Sequence, residues 1–415
     1  MQWESIPTKS GQEKVVADKI NAGITAPKGF KAAGIHCGIK KSRKDLALIV
    51  SEYPATAAAV FTLNKVQAAP VLVCKKHLSE SSFFKAIIVN SGNANACTGE
   101  QGYVDAFTMA AETASVLGAE TEQIFVSSTG VIGETLPMEK IVNGIHKVVQ
   151  HVDEGEYQSA AEAIMTTDTF SKSYDVTFSI NGFEVNIGGI AKGSGMIHPN
   201  MATMLGFVTT DAAIEKNVFQ KMLKDTVDKT FNRITVDGDT STNDMVIALA
   251  NGASGVSVEP NTSAYEVFEE QLYSILKKLA IDIVKDGEGA TKLIEITVEG
   301  AQTDDDAVKA ARTVSLSPLV KTAIHGEDAN WGRLLAAVGY SGIEFDPDKF
   351  EIEINGTPIL KQNYQVTLPI AEANKTLKPK EIKIVLKLNS GSGSATYWTC
   401  DFSEEYVKIN GSYRT

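Results

Sequence analysis

Alternation of apolar and polar positions marks two strands near the middle of the chain. Residues 174–180 alternate strictly, and residues 183–187 resume the alternation after Asn181-Gly182. An Asn-Gly pair between two runs of period two is the strongest short-range signal of a β-hairpin. The pattern therefore predicts a hairpin whose turn is Asn181-Gly182.

Apolar residues spaced three and four apart predict amphipathic helices. The stripes are Ala106, Met109, Ala110, Thr113 and Ala114; then Val218, Met222, Leu223, Val227 and Phe231; then Phe268, Leu272, Ile275, Leu279 and Ile283. Short apolar runs predict buried strands at 87–89, 124–126, 205–208 and 245–250, the first two ending in polar loops at 90–96 and 127–130. Long helices mixed with hairpins favour an α+β layered sandwich, and strands at 350–354 and 382–388 after a helix at 304–313 predict a smaller C-terminal α/β portion.

Composition narrows the class of protein. The chain has 415 residues, of which 43% are hydrophobic and 22% charged, as in ordinary globular proteins. The net charge of −12 disfavours nucleic-acid binding, which would need a local basic patch, and none is apparent. No apolar stretch approaches the roughly 18 residues of a membrane span, and the polar start lacks a secretory signal. Four scattered cysteines form no zinc or disulfide pattern, so we expect a cytoplasmic protein.

Standard catalytic motifs are missing from the sequence, including the P-loop, the H-E-x-x-H zinc motif and the G-x-S-x-G elbow. The segment 237–244 resembles a calcium loop, but Thr242 and Ala248 stand where an EF-hand needs Gly and Glu. We therefore expect a polar loop near a site and no metal. His198 and His325 lie in polar segments, where either a structural or a catalytic role fits.

The segment from Lys192 to Val208 has two interpretations. It is either a glycine-rich loop leading into a buried strand, or a loop that presents Thr203 as a nucleophile at the head of that strand. A threonine hydroxyl needs a base. Cleavage between Ala202 and Thr203 would supply one, because a free α-amine has a pKa of roughly 7.7–8.0.

Ordered motifs along almost the whole chain resemble those of the ornithine acetyltransferase family, also called bifunctional glutamate N-acetyltransferases. They are Pro27-Lys28-Gly29-Phe30, Gly38-Ile39-Lys40, Val60-Phe61-Thr62, Ala68-Ala69-Pro70-Val71, 90–96, 127–133, 192–205, 237–244, 286–292, 326–333 and 410–415. The resemblance implies an N-terminal-nucleophile-like, autoproteolytic acyltransferase fold. It also implies an α chain of residues 1–202 and a β chain of residues 203–415 that begins with Thr203.

The implied reaction is a ping-pong transfer of acetyl from N2-acetyl-L-ornithine to L-glutamate through acetyl-Thr203. Some members of the family also take acetyl from acetyl-CoA, and the sequence leaves both the monofunctional and the bifunctional form open here; the resemblance implies no cofactor and no metal. The implied partners are these small molecules, with no nucleic acid and no membrane. The implied assembly is a heterotetramer of two α and two β pieces.

The resemblance also assigns site residues. Thr129 and Gly130 match the oxyanion hole, and Ala202 and Thr203 match the cleavage site. The substrate-binding positions are Thr166 (with Thr167 as the adjacent alternative), Lys192, Thr203, Glu288, Asn410 and Thr415. Lys192 suits a substrate α-carboxylate, and Glu288 suits a substrate ammonium group.

Two other functions remain open at this point. An amidohydrolase or aminopeptidase would use the same self-generated threonine with water as acceptor, and only the choice of acceptor distinguishes it from a transferase. A non-catalytic protein that binds amino-acid-like ligands would keep Thr203 as an ordinary strand residue and would never be cut.

Overall fold

The structure is a computed structural model that describes residues 22–198 and 204–412. Its strands are β1 (Phe30–Ile35), β2 (Leu46–Phe61), β3 (Phe84–Asn93), β4 (Ile124–Val131), β5 (Lys172–Ile180), β6 (Phe183–Lys192), β7 (Leu205–Thr210), β8 (Ala213–Ile214), β9 (Ile234–Thr235), β10 (Met245–Ala250), β11 (Ser257–Val258), β12 (Leu293–Ala301), β13 (Glu351–Ile354), β14 (Thr357–Lys361), β15 (Gln365–Val366), β16 (Glu381–Lys387) and β17 (Gly393–Cys400). Its α-helices are α1 (Ala69–Glu80), α2 (Gly99–Leu117), α3 (Met138–Val148), α4 (Tyr157–Ala163), α5 (Lys216–Lys229), α6 (Ser263–Lys285), α7 (Asp304–Leu316), α8 (Pro318–His325), α9 (Trp331–Gly339), α10 (Ile370–Ala373) and α11 (Glu404–Gly411).

The larger sheet draws its strands from both sides of the predicted cleavage site. Its order is β4-β3-β2-β10-β7-β6-β5, with β1 also paired to β2. Most neighbours are antiparallel, but β3 with β4 and β7 with β10 are parallel. Strands β7 and β10 follow residue 203 in sequence, yet they lie between β2 and β6, which precede it. The two predicted pieces therefore share one sheet.

Helices cover both faces of this sheet, which explains why β10 is apolar throughout. Val246 and Ala248 face a core that contains α5 and α6, whereas Met245 and Ile247 face the opposite core with residues of α4. A strand buried on both faces loses the apolar–polar alternation of a half-exposed strand. At the other end of the sheet, α2 and α3 pack on β3 and β4.

The second sheet has the order β15-β14-β13-β16-β12-β17-β9 and a separate hydrophobic core shared with α7, α8 and α9. It corresponds to the predicted C-terminal α/β portion. Strand β9 follows α5, which packs on the larger sheet, and pairs with β17. It therefore connects the second sheet to the part of the chain that packs on the larger sheet. Within the described ranges, no helix combines the length and apolar character that crossing a membrane requires.

Periodicity located most elements correctly. The hairpin is confirmed: Ile180 pairs with Phe183, and the turn residues Asn181 and Gly182 have φ of 53° and 84°, both in the left-handed region. The three helices predicted from these stripes are confirmed as α2, α5 and α6, with their stripes on core-facing sides, except that α5 ends at Lys229 and Phe231 lies in the short 3₁₀ helix that follows it. The α+β layering is confirmed by the two large sheets and the helices packed on them.

The polar loops predicted after residues 89 and 126 are wrong in part. Strand β3 continues to Asn93 and β4 to Val131, with Asn90 opposite Ser128 in a parallel ladder. The Ser128 hydroxyl donates a hydrogen bond to Asn90 Oδ1 at 2.5 Å. Buried polar side chains that satisfy one another extend the strand where the sequence suggests a turn.

A glycine in β1 sets how closely α4 can approach the sheet. A Cβ on Gly34 would lie 1.9 Å from the Ser159 carbonyl oxygen. We predict that Gly34→Ala lowers the free energy of unfolding by about 1–3 kcal/mol because α4 must move away. Gly339→Ala in α9 is the matched control, since no heavy atom lies within 4 Å of its added methyl group. Urea unfolding of both variants checks this, and equal stabilities would contradict it.

Candidate active site

A cavity of about 350 Å³ opens where β4, β6, β7 and β10 end or begin. It gathers every sequence-predicted site residue that the structure describes, namely Thr129, Gly130, Thr166, Lys192, Glu288 and Asn410, together with Thr167. Ala202, Thr203 and Thr415 lie outside the described residues. Met204, the covalent neighbour of Thr203, lines the same cavity. The structure thus brings together residues that lie far apart in sequence.

Lys192, the last residue of β6, is a buried cation in this cavity. Its Nζ donates to Thr129 Oγ1 at 3.4 Å. Burial lowers the pKa of Lys192 from its ordinary value, although the carboxylates of Asp168, Asp244 and Glu288 oppose this shift. Since Thr129 Oγ1 accepts from the ammonium, the threonine can direct its own hydroxyl proton elsewhere.

Gly130 and Asn243 fix the end of β4 beside the cavity. Gly130 has a φ of 136°, and a Cβ there would lie 2.3 Å from the carbonyl carbon of Gly92. Asn243 Nδ2 donates to the carbonyl oxygens of Ala94 and Ser128, at 2.5 and 2.8 Å. Only glycine fits at position 130, and the amide of Asn243 holds the two neighbouring segments in place.

A buried ion-pair network that the sequence did not reveal supports the cavity wall. Lys172 Nζ donates to Asp168 Oδ1 at 2.9 Å and to Asp286 Oδ2 at 2.6 Å. Asp168 also accepts the backbone N–H groups of Thr166 and Gly193 at 2.9 and 3.0 Å. Burial raises the pKa of Asp168, but the ammonium groups of Lys192 and Lys172 outweigh burial and hold it below its ordinary value.

Glu288 faces the cavity from the turn after α6. Its backbone N–H donates to the Ser194 carbonyl at 3.0 Å, and Asn410 Nδ2 donates to its Oε2 at 2.9 Å. A Cβ on Gly195 would lie 2.4 Å from Glu288 Oε2, so glycine at position 195 leaves room for the carboxylate. The C-terminal helix α11 therefore contributes directly to the site.

Asp244, immediately before β10, is a further cavity residue that sequence reasoning did not single out. It is 3% exposed, and its Oδ2 has no hydrogen-bond partner among the described residues. Burial raises the pKa of Asp244 well above its ordinary value, despite the opposing effects of Ser241 and Lys192. The sequence predicts that segment 237–244 lies near a site, and this is confirmed because Ser241, Asn243 and Asp244 line the cavity.

The residues on either side of 199–203 are both held by one short stretch of the chain, residues 237–245. The Asp237 carboxylate accepts the backbone N–H groups of Met196 and Ile197 at 2.6 and 2.9 Å. The backbone N–H of Met245 donates to the Met204 carbonyl at 3.1 Å. The stretch 237–245 therefore holds both approaches to residues 199–203.

His198 and His325 have structural contacts. His198 Nε2 accepts from Arg312 Nε and Nη2 at 3.1 and 2.6 Å. Burial and the Arg312 charge lower the pKa of His198 to about 4, so the ring is neutral at physiological pH. His325 Nδ1 pairs with Asp401 Oδ2 at 2.7 Å. These contacts favour the structural interpretation of both histidines.

Comparison with known proteins identifies relatives over nearly the whole chain. A sequence profile of the ArgJ family matches residues 31–415. The arginine biosynthesis bifunctional protein ArgJ of Caldanaerobacter subterraneus subsp. tengcongensis is 50% identical over 401 residues, covering 95% of this chain and 99% of the relative. A crystal structure of the Bacillus halodurans protein of that name is 47% identical and covers 46% of this chain and 100% of its own, with a TM-score of 0.44. An ornithine acetyltransferase of Mycobacterium tuberculosis, solved with ornithine, is 39% identical with the same coverage and a TM-score of 0.40.

Two buried aspartates of the site should have opposite pH signatures. The pKa of Asp244 is raised in the folded protein, so its ionisation opposes folding increasingly as the pH rises above the ordinary aspartate value of about 3.9. We predict that Asp244→Asn is at least as stable as the parent protein at pH 8 and that this advantage shrinks towards pH 4.

Asp168→Asn is the matched comparison, because the pKa of Asp168 is lowered and its charge stabilises the fold above about pH 4. Removing one partner of a buried ion pair costs about 3–5 kcal/mol, so this variant should be destabilised at neutral pH, with a deficit that shrinks only below about pH 4. Guanidinium unfolding at several pH values measures both differences, and parallel pH profiles would refute the assignment.

Proposed function

The chain belongs to the ArgJ family, and from that premise we propose that it moves an acetyl group from N2-acetyl-L-ornithine to L-glutamate through an ester on Thr203. Membership makes it an acetyltransferase of arginine biosynthesis, with glutamate as the acetyl acceptor. The donor, the acetyl-threonine intermediate and the self-cleavage are the proposed parts. The relative's description as bifunctional supports acetyl-CoA as a second donor.

The observation that carries the proposal is the charge pattern of one cavity. Lys192 and Glu288 both line it, so a cation and a carboxylate are available to a single small ligand. Amino acids carry the complementary pair, an α-carboxylate and an ammonium group. A volume of about 350 Å³ lies at the small end of ligand pockets, as an amino-acid substrate requires.

The proposed chemistry needs no cofactor. Thr203 Oγ attacks the acetyl carbonyl of acetylornithine, the amide C–N bond breaks, and the hydroxyl proton leaves with the ornithine amine by way of the α-amine of Thr203. The glutamate amine then attacks the ester, the C–O bond breaks, and Oγ regains a proton. Thr129 and Gly130 are the proposed oxyanion donors, and one such donor contributes about 2.7–4 kcal/mol to transition-state stabilisation.

Self-cleavage between Ala202 and Thr203 fits the anchoring of the flanking segments. Asp237 holds Met196 and Ile197, and Met245 holds Met204, so the two new chain ends would stay attached to the same stretch of protein. The shared sheet would keep the two pieces together after the cut. A molecule of two α and two β pieces is the proposed assembly.

The first test replaces the nucleophile. We predict that Thr203→Ala stays uncut and exchanges no acetyl, whereas Thr203→Ser still cleaves because a serine hydroxyl can perform the same attack. Intact mass and N-terminal sequencing detect pieces 1–202 and 203–415, and an exchange assay with acetylornithine and glutamate measures transfer. Thr108→Ala, at a half-buried position of α2 outside the cavity, is the control.

Full exchange by uncut protein would contradict the proposal. Loss of acetyl to water in place of transfer to glutamate would instead identify an amidohydrolase with the same nucleophile.

The second test concerns the C-terminus. Deletion of residues 410–415 removes Asn410, whose side chain donates to Glu288. We predict that this deletion abolishes transfer, although trimming a chain end is ordinarily harmless. Val407→Ala is the control, since this α11 side chain is 69% exposed. Steady-state kinetics with both amino-acid substrates measure the effect, and full activity of the truncated enzyme would remove the tail from the site.

A further inference from the structure

The connection between β1 and β2, residues 36–45, is unusually basic and is called the basic loop below. Four of the five positions 40–44 are Lys or Arg, whereas only 39 of all 415 residues are. The loop therefore corrects the expectation that the chain has no basic patch. In a protein with a net charge of −12, such a local concentration of cations needs an explanation.

A buried carboxylate gives the basic loop a fixed shape. Asp45 accepts four consecutive backbone N–H groups, those of residues 37, 38, 39 and 40, at distances of 2.6 to 3.1 Å. These hydrogen bonds, together with the His36 ring, hold the pKa of Asp45 below its ordinary value even though burial raises it. The negative charge of Asp45 is thus directed at the loop backbone and away from solvent.

The cations of the basic loop reach the rim of the cavity. Lys40 Nζ donates to the Met165 carbonyl at 2.6 Å, and Arg43 Nη1 donates to the Thr166 carbonyl at 3.3 Å. Thr166 itself lines the cavity. A fifth cation, Lys140 of α3, donates to the Gly38 carbonyl at 2.9 Å.

Positive charge in this region exceeds the nearby negative charge. Glu162 neutralises Lys44 at 3.1 Å, whereas Lys41 and Arg43 are exposed. Burial lowers the pKa of Lys40 to about 8; Asp45 opposes this shift, and repulsion from Arg43 and Lys192 adds to it. Repulsion among cations is relieved when an anion binds among them.

We propose that the basic loop binds the phosphate groups of a phosphorylated acyl carrier, acetyl-CoA, while its acetyl thioester enters the cavity past Thr166. This inference rests on the proposed function. A cavity of about 350 Å³ suits an amino acid, so the nucleotide part of such a carrier must lie outside it. The basic loop is the charged surface that adjoins the rim at that point.

The donor step balances without any further reactant. Thr203 Oγ attacks the thioester carbonyl, the C–S bond breaks, and the thiol leaves with the hydroxyl proton. The resulting acetyl ester is the same one that acetylornithine forms. Only the binding of the leaving part differs between the two donors.

The test compares the two donors in a charge-reversed loop. We expect Lys41→Glu/Arg43→Glu to raise KM for acetyl-CoA about tenfold more than KM for acetylornithine, because only the carrier bears phosphates. The effect should weaken as salt increases, since exposed charges are screened. Arg43→Lys keeps the positive charge and should therefore keep most of the affinity for acetyl-CoA. The control is Lys361→Glu/Lys380→Glu, which reverses two exposed cations in the region of the second sheet.

Calorimetry with CoA, 3′-dephospho-CoA and inorganic pyrophosphate identifies the ligand independently of turnover. Tighter binding of CoA than of pyrophosphate, lost in the charge-reversed variant, supports the proposal. Pyrophosphate binding as tightly as CoA would assign the loop to free phosphate ions and overturn it. Equal KM changes for both donors, or CoA affinity unchanged by charge reversal, would also overturn it. If the parent protein exchanges no acetyl between acetylornithine and glutamate, the proposed function fails, while CoA affinity still tests the loop.

Discussion

The buried ammonium group of Lys172 is the interaction on which the rest of the site depends. It joins Asp168 to Asp286, and these two carboxylates in turn hold the backbone N–H groups of Thr166, Thr169 and Gly193. The network thereby fixes three cavity walls to one another: the loop after α4, the end of β6 and the end of α6. Burying an ion costs several kcal/mol, which only a fully hydrogen-bonded network can offset. Removing any one member of the network would therefore leave a buried charge without its partner and destabilise the fold.

Charges inside the cavity are arranged differently from those in its wall. The wall pairs each cation with carboxylates at hydrogen-bond distance, whereas Lys192 has a hydroxyl at 3.4 Å and Asp244 has an oxygen without a partner among the described residues. Burial shifts the pKa of each group towards its neutral form. The α-carboxylate of the proposed amino-acid ligand would supply the close counter-charge that Lys192 lacks. The wall thus provides rigidity, and the lining keeps its polar groups available for ligands.

The sequence alone predicted the secondary structure well wherever hydrophobic periodicity was strong, as in α6 and in the hairpin at Asn181-Gly182. It failed where buried strands carry polar residues, because Ser128 and Asn90 satisfy each other only after β3 and β4 have paired. Most site residues were predicted through family resemblance. The pairing of Lys172 with Asp286 could not be predicted, since these residues lie 114 positions apart and only the fold brings them together.

The topology explains how a chain terminus could serve as a precisely held nucleophile. Chain ends are ordinarily poorly ordered unless they are tied down. Strand β7 lies between β6 and β10, with Leu205 opposite Lys192 on one side and opposite Met245 on the other. The first strand after the proposed cut is therefore hydrogen-bonded on both edges from its first residue. The proposed terminus lies two residues before this strand, so cleavage there could expose an amine without releasing the strand itself.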